Sequence, residues 1–257
     1  MIGTALRRTS SGWTPASLPN LMLWLDASDS STITASAGAV STWTDKSTNA
    51  YTFTQATPAA KPTTGSATQN GLNALSFDGG DVLASSAASS TWKWLHDGTS
   101  TYGFYIGFKY SAGSSPILCA TGRWVGGYIG ALFLLNGSAS GTYSYVYGAA
   151  AVDVDARSNL SGRGTSANLI GFIMDPSNGT AGNRSIHRLN GAQSSGSNAS
   201  SGSVSSSDSF STLSIGADQA GQGYYTGNIF EIVAWKSPVS ADWTALETYL
   251  LAKWGIS

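Results

Sequence analysis

The C-terminal segment constrains the fold most, because it joins a strand to a single amphipathic helix. Gly227–Lys236 carries β-branched and aromatic residues on both faces, which predicts a strand covered on two sides. Pro238 ends that strand, and Ser240 stands where a helix N-cap is expected. The apolar residues of this region recur at spacings of three and four: Val239, Trp243, Leu246, Leu250 and Trp254. Since Gly255 suits a helix C-terminus, the segment predicts one helix that docks on a sheet through this stripe.

The rest of the chain is patterned as short strands separated by Gly- and Asn-rich turns. Thr101–Tyr110 alternates, with aromatic residues on one face, which predicts a half-buried strand. Gly127–Asn136 and Ala167–Asp175 are apolar on both faces and are expected in the middle of a sheet. The serine- and glycine-rich stretch Gln193–Ser211 is expected to be a loop or thin hairpin inside the domain. This pattern predicts an all-β, antiparallel sandwich closed by one C-terminal helix.

Charge and cysteine content exclude several functional classes. Charged residues make up 11% of the chain, against about a quarter in typical proteins, and the net charge is −1. This balance gives no electrostatic reason to expect nucleic acid or an anionic membrane as a partner. Cys119 is the single cysteine, so neither an intrachain disulfide nor a thiolate metal cluster can form. Because the sequence has no signal-peptide core and no apolar run of membrane-spanning length, we expect a soluble protein that a Sec signal does not export.

Several short motifs follow one another in a characteristic order. They are LWLDAS (Leu23–Ser28), WTDKS (Trp43–Ser47), SFDGGDVL (Ser76–Leu83), LSIG (Leu213–Gly216), GNIFEIV (Gly227–Val233) and ETYLLAKWGI (Glu247–Ile256). With this order the chain resembles the LamG-like branch of the concanavalin A-like lectin/glucanase superfamily, over about Leu21 to Ile256. The resemblance implies a jelly-roll form of the β-sandwich. Domains of this kind are common in bacteriophage virion proteins and in bacterial surface proteins, but a fold does not name a function.

The carboxylates needed for glycoside hydrolysis are missing from the place where the resemblance implies them. Glucanases of this superfamily carry Glu-x-Asp-x-Glu on one strand, whose alternation puts the acids on one face. In this chain Glu231 is followed at those spacings by Val233 and Trp235. Asp153 and Asp155 do share a strand face, but an arginine takes the third position, which favours a solvated or ion-paired turn. We therefore expect a protein that is not an enzyme.

The resemblance leaves one cofactor open, a structural calcium ion. LamG-like domains often bind calcium through oxygen ligands on rim loops. The family's Asp-x-Ser-Gly-Asn segment corresponds to Asp45–Asn49, with Thr48 in place of the glycine. The candidate ligands are Asp45, Asn49 and Glu231. Strand alternation puts Glu231 on one face with Ile229, where a carboxylate needs a partner; a loop backbone or a lysine would serve as well as calcium.

Sugar binding is the commonest non-enzymatic role in this superfamily, and it uses aromatic faces beside hydrogen-bonding side chains. The candidate glycan-binding residues are Trp92, Trp94, Arg123, Trp124, Tyr143, Tyr145, Tyr147, Tyr224 and Tyr225. The alternative is packing, because tyrosines on one strand face often pack cross-strand and tryptophans near loops often close the end of a sandwich.

Residues 1–20 are a polar, proline-bearing arm ahead of the domain at residues 21–257. Because such a segment has no core of its own, we expect it to dock on another copy of the chain or on another virion subunit. The residues expected to mediate docking are Leu6, Arg7, Arg8 and Trp13. A frayed terminus without a role is the alternative.

Together these features favour a non-enzymatic virion structural protein, such as a capsid decoration protein, a fibre or a tail appendage. It would assemble in the host cytoplasm, and its lectin-like domain would serve adhesion to glycans or to a host surface. A bacterial surface carbohydrate-binding module is one alternative, and it would need an export route that the sequence does not show. A glycoside hydrolase of the same fold is the other, and the missing carboxylate pattern opposes it.

Overall fold

The computed structural model describes residues 12–112, 116–123, 129–136, 141–147, 152–158, 166–193, 196–199 and 204–257. These ranges contain antiparallel strands and a C-terminal α-helix, which confirms the predicted fold class. The strands are β1 Leu21–Asp26, β2 Ile33–Ser36, β3 Ala39–Thr44, β4 Thr52–Thr54, β5 Thr63–Gln69, β6 Leu72–Asp78, β7 Leu83–Ser85, β8 Tyr102–Ala112, β9 Ile117–Ala120, β10 Gly130–Asn136, β11 Gly141–Tyr147, β12 Val152–Ser158, β13 Ala167–Met174, β14 Ser185–Leu189, β15 Ala192–Gln193, β16 Gly196–Ala199, β17 Ser214–Ile215 and β18 Thr226–Lys236. The helix α1 spans Ser240–Trp254, and 3-10 turns cover Pro15–Ser17, Ser30–Thr32, Pro58–Ala60, Ser89–Leu95 and Ala181–Asn183.

The strands form two layers. The helix-side sheet pairs β5, β6, β18, β8, β13, β14 and β15 in that order, and β1 joins the second half of β18. The distal sheet pairs β2, β3, β4, β7, β17, β9, β10, β11, β12 and β16 in that order. A single pair, Ala39 opposite Thr63, links the two sheets within the described ranges.

The main core lies between the two sheets. Phe133 of the distal sheet stacks on Phe104 of the helix-side sheet, with ring centroids 4.5 Å apart, and lies 4.9 Å from Phe172. The alternation predicted for β8 is confirmed on this face, where four of its residues are buried in the core: Tyr102, Phe104, Ile106 and Phe108. The prediction that β8 is only half-buried is wrong, because α1 covers its opposite face and buries Tyr105 as well.

Two glycines on the helix-side face leave room for aromatic rings that lie flat on the sheet. An ideal Cβ on Gly103 would lie 2.3 Å from the ring of Trp235. One on Gly171 would lie 2.2 Å from the ring of Tyr105. Any side chain at these positions would therefore lift the ring and the helix above it.

A β-bulge in β18 changes which of its residues face the helix. Ile229 lies opposite Phe108 while Glu231 lies opposite Gly107, so Phe230 is an extra residue on this strand. Ile229 accordingly belongs to the core between the sheets, whereas Phe230 packs beneath α1. The prediction that Ile229 shares a face with Glu231 is therefore wrong, because strict alternation stops at the bulge.

The helix α1 packs on the outer face of the helix-side sheet. Of the predicted stripe, three residues are fully buried: Leu246, Leu250 and Trp254. Trp243 is only partly buried. Val239 is 57% exposed because it is the N-cap rather than part of the packed face, so the prediction that Ser240 is the N-cap is wrong by one residue. The helix ends at Gly255 in the left-handed conformation, with φ of 61°, as predicted. None of the helices in the described ranges is long and apolar enough to span a membrane.

A buried ion pair fixes the middle of α1 to the sheet. Glu247 is 4% exposed and pairs with Arg188 of β14. The hydroxyl of Tyr105 donates to Glu247 Oε1 over 2.7 Å. These contacts fix the position of α1 on the sheet, although the apolar stripe of the helix is narrow.

The segment just before β1 packs on the domain. Leu18 is 5% exposed and belongs to the cluster beneath α1, and Trp13 lies with its ring 5.8 Å from that of Tyr249. The packed domain therefore begins before residue 21, and Trp13 contacts the helix of its own chain. The other predicted docking residues, Leu6, Arg7 and Arg8, lie outside the described residues.

Candidate functional site

An open groove of about 480 Å³ lies where β7 meets the loop before β18. Its lining combines a small apolar floor, a polar loop and one aromatic ring: Val82, Ala84, Asp218, Gln219, Ala220, Gly221 and Tyr224. The groove is within the size range of small-molecule sites, although it is open rather than enclosed.

The loop that forms one side of the groove is held by its own hydrogen bonds. Asp218 is 1% exposed, and its Oδ1 accepts from the backbone N–H groups of Ala220 (3.0 Å) and Gln222 (2.9 Å). The backbone N–H of Gly221 donates to the carbonyl of Asp218 over 3.0 Å. Gly221 and Gly223 both have positive φ, so glycine permits the tight return of the chain. The groove is therefore preformed on this side.

The same loop orients two neighbouring tyrosines in opposite ways. Tyr225 is fully buried, and its hydroxyl donates to the carbonyl of Lys109 over 2.8 Å. Tyr224 remains partly exposed and lines the groove. The loop is tied to the distal sheet by the backbone N–H of Ile117, which donates to the carbonyl of Gly223 over 2.7 Å. Tyr224 is thus a predicted residue that the structure places in a groove, whereas Tyr225 has a structural role.

A second carboxylate belongs to the residue that directly precedes the lining residue Val82. Asp81 precedes Val82, and its Oδ2 accepts from the backbone N–H of Asp78 over 2.8 Å. Burial, with the charge of Asp78 adding to it, raises the pKa of Asp81 to about 6. Asp81 is therefore negatively charged above that pH.

The predicted tryptophan pair does not form a ligand platform. Trp92 is fully buried, with its ring 4.9 Å from that of Tyr51, and its Nε1 donates to Thr212 Oγ1 over 2.9 Å. Trp94 is 5% exposed and packs edge-on against Tyr102 at 5.3 Å. The 3-10 turn that carries them folds both indoles into the core, so the prediction that they bind a glycan is wrong.

The remaining predicted glycan-binding residues are described only in part. Arg123 is partly buried, and Trp124 lies outside the described residues. The other three stand on the backbone of β11: Tyr143 opposite Leu134, Tyr145 opposite Leu132 and Tyr147 opposite Gly130. Their strand neighbours on the far side are Arg157, Asp155 and Val152. Arg123 does not line the groove at Tyr224.

Asp45 and Asn49, two of the predicted calcium ligands, have hydrogen-bond partners within the protein. Asp45 accepts from the backbone N–H groups of Trp24 (2.7 Å) and Ser47 (2.8 Å), and Asn49 Nδ2 donates to the carbonyl of Met22 over 3.0 Å. In the described ranges no group of three or more His, Cys, Asp or Glu residues is arranged to hold a metal ion. Backbone N–H groups are therefore among the partners of Asp45.

Glu231 has a separate set of partners beneath α1. Its Oε1 accepts from Trp24 Nε1, and its Oε2 accepts from Lys253 Nζ and Trp254 Nε1, each over 2.7 Å. Burial raises the pKa of Glu231, as does the nearby charge of Asp26, while Lys253 opposes the shift. The lysine alternative to calcium is therefore the one found at this residue.

Most residues of the groove were not predicted from the sequence. Val82 and Ala84 carry no sequence signal, because their role depends on the strand pairing that brings β7 beside β17. The loop did carry a sequence signal, because Asp218 followed by glycines at 221 and 223 is typical of an Asp-capped turn.

No protein-family model matches the chain, and no curated protein matches it either. Solved structures resemble it in fold. A Trypanosoma rangeli sialidase in complex with 2,3-difluorosialic acid matches with a TM-score of 0.56 at 11% identity, over 91% of this chain and 33% of the sialidase chain. An arabinofuranosidase complexed with arabinofuranosyl-α-1,2-xylobiose matches with a TM-score of 0.52 at 14% identity, over 93% of this chain and 60% of the other.

A carbohydrate-binding module, CBM40 of a Ruminococcus gnavus sialidase bound to α2,3-sialyllactose, gives a TM-score of 0.44 at 13% identity, over 57% of this chain and 80% of the module. The chain thus spans about a third of the T. rangeli sialidase and 60% of the arabinofuranosidase. At these identities the similarity shows the sandwich fold alone.

Proposed function

We propose that this protein is a non-enzymatic carbohydrate-binding β-sandwich and that the groove at Tyr224 is its binding site. The observation that carries the proposal is the pair of neighbouring tyrosines. Tyr225 is locked into the core, while Tyr224 is held by the same rigid loop at the wall of an open groove. The fold similarity to a sialidase and an arabinofuranosidase, each described with a bound sugar ligand, also supports carbohydrate binding.

The groove offers the two kinds of contact that a sugar needs. A tyrosine ring packs against the C–H face of a pyranose, and Val82 and Ala84 extend that apolar surface. The amide of Gln219 and the exposed backbone of the loop can donate to and accept from hydroxyl groups. Because an open groove buries little ligand surface, each site binds weakly and multivalent display supplies the affinity.

The absence of catalysis is part of the proposal. Asp218 is the one carboxylate among the seven lining residues, all of which lie in the described ranges, and its Oδ1 is committed to the loop backbone. Glycoside hydrolysis uses two carboxyl groups placed on either side of the scissile bond. Glu231, the acid nearest to the family's catalytic pattern, is fully buried beneath α1.

We propose further that the domain serves on a virion surface, as a decoration protein, fibre or tail appendage that associates with other subunits or with copies of itself. The support is the sequence resemblance to LamG-like domains and a chain with only 11% charged residues. Mass spectrometry of purified virus particles should find the protein in stoichiometric amount. Its recovery instead from a bacterial cell surface would favour the alternative, a bacterial carbohydrate-binding module.

The test of the binding site is a glycan array probed with the protein displayed in many copies on a particle. We expect binding to at least one glycan class, and Tyr224→Ala should weaken it about tenfold, or ~1.4 kcal/mol. Phe210→Ala is the matched control, because Phe210 is an aromatic residue, 45% exposed, that does not line the groove. Equal binding by both variants would remove the groove from the proposal, and release of reducing sugar from the bound glycan would overturn its non-enzymatic part.

A further inference from the structure

We infer that the groove at Tyr224 selects an uncharged sugar, the terminal hexose of a glycan, over an acidic sugar such as sialic acid. This inference rests on the proposed function and specifies the ligand of the same site. It also separates this chain from the T. rangeli sialidase that it resembles in fold, which is described with a sialic acid derivative.

Charge is the first reason. None of the seven lining residues, all within the described ranges, carries a positive charge, and one of them is Asp218. Asp81, which directly precedes the lining residue Val82, is a second acid in the same segment of the chain. A sugar carboxylate would lose part of its hydration beside these acids without gaining the arginine or lysine that normally compensates for it. An uncharged ring meets no such penalty.

Hydrogen-bonding capacity is the second reason. Gln219 is an exposed lining residue whose neutral amide both donates and accepts, which matches the dual character of a sugar hydroxyl. The amide of Gln55 also donates from Nε2 to the carbonyl of the lining residue Val82 over 2.9 Å. The polar side chain that Gln219 offers to a ligand is therefore a neutral amide, not a cation.

Shape is the third reason. The volume of about 480 Å³ is at the small end of the range for ligand sites, and the groove is open to solvent. One face of a ring can rest on Tyr224 while the rest of the glycan extends outward. This geometry favours a terminal hexose over a buried oligosaccharide.

The experiment uses the full-length protein, displayed in many copies, against albumin conjugates of single sugars. The uncharged set is glucose, galactose, mannose and N-acetylglucosamine, and the acidic set is sialic acid and glucuronic acid. We expect binding to at least one uncharged conjugate, a loss of about tenfold in Tyr224→Ala and in the groove-filling Ala220→Trp, and no binding to the acidic set. Gln219→Arg should gain binding to an acidic conjugate, and that gain should weaken with salt.

The outcomes separate the inference from the proposed function. Binding to an acidic conjugate at least as strong as to any uncharged one, and dependent on Tyr224, would overturn the inference and leave the carbohydrate-binding function standing. Binding that neither Tyr224→Ala nor Ala220→Trp changes, with unaltered melting curves, would overturn the assignment of the groove and with it the inference. Binding to no conjugate and to no glycan on the array would overturn both.

Discussion

Lys253 Nζ lies 2.7 Å from Oε2 of Glu231, a carboxylate with no exposed surface. The same nitrogen lies 2.8 Å from Asp26 Oδ1, so one ammonium near the end of α1 joins the helix to β18 and β1. The indoles of Trp24 and Trp254 donate to the two oxygens of Glu231. These groups supply the charge and the hydrogen bonds that make burial of the carboxylate tolerable.

Replacing Lys253 with methionine should lower the free energy of unfolding by about 3–5 kcal/mol, because it leaves Glu231 buried without its cation. Urea denaturation at neutral pH measures the change. Lys61→Met, at a lysine that is only partly buried, is the control and should stay within about 0.5 kcal/mol of the parent protein.

A second variant separates loss of charge pairing from loss of packing. If the unpaired carboxylate is the cause, Glu231→Gln combined with Lys253→Met should be more stable than Lys253→Met alone. Equal stability of these two proteins would show that the lysine acts through its aliphatic stem.

Asp81 should make stability fall as pH rises from about 4 to about 6. Its pKa is about 6 in the folded protein against an ordinary value of 3.8, so within that window the folded state holds a proton that the unfolded chain has lost. The stabilisation by the bound proton is complete below the ordinary pKa of an aspartate and is lost as the pH rises through the pKa of Asp81 in the folded protein. Relative to Asp81→Asn, the parent should lose up to ~3 kcal/mol across the window, since one pKa unit corresponds to about 1.4 kcal/mol.

The measurement is the urea midpoint of both proteins at about pH 4 and about pH 7. Only the difference between them is diagnostic, because Asp26 and Asp29 have lowered pKa values and change stability in the opposite direction. Parallel pH profiles for the two proteins would show that Asp81 titrates at its ordinary pKa.

The fold was largely predictable because its signals are local. The spacing of Leu246, Leu250 and Trp254 and the glycine after them predict α1 from a few neighbouring residues. The surroundings of Glu231 were not predictable in this way. They depend on the extra residue Phe230, and a bulge is defined only once the register of β18 against β8 is known.

The candidate site was predictable only in part, for the same reason. Two adjacent tyrosines in a glycine-rich loop indicate that one faces in and one faces out, but the sequence does not say which. Trp92 and Trp94 were predicted as candidate glycan-binding residues, whereas a 3-10 turn buries both indoles. The apolar floor of the groove comes from β7, far earlier in the chain than the loop it faces.

Gly103→Ala should destabilise the protein by about 1–3 kcal/mol, because the new methyl group would meet the ring of Trp235 in a packed layer. Gly179→Ala is the matched control, since an ideal Cβ there has no neighbour within 4 Å. Thermal denaturation gives the melting temperatures of both variants. A melting temperature for Gly103→Ala that equals the control would mean that Trp235 moves aside without cost.

The two tryptophans of α1 should differ in their contribution to stability. Trp254 is fully buried, its ring lies 5.2 Å from that of Phe230, and its indole donates to Glu231, so Trp254→Ala should cost about 3–5 kcal/mol. Trp243 is only partly buried, and Trp243→Ala should cost about 1 kcal/mol, the typical value for a point substitution. Guanidinium denaturation gives both values, and near-ultraviolet circular dichroism reports whether the aromatic layer survives. If Trp243→Ala proves as costly as Trp254→Ala, the first turn of the helix is packed more tightly than its exposure indicates.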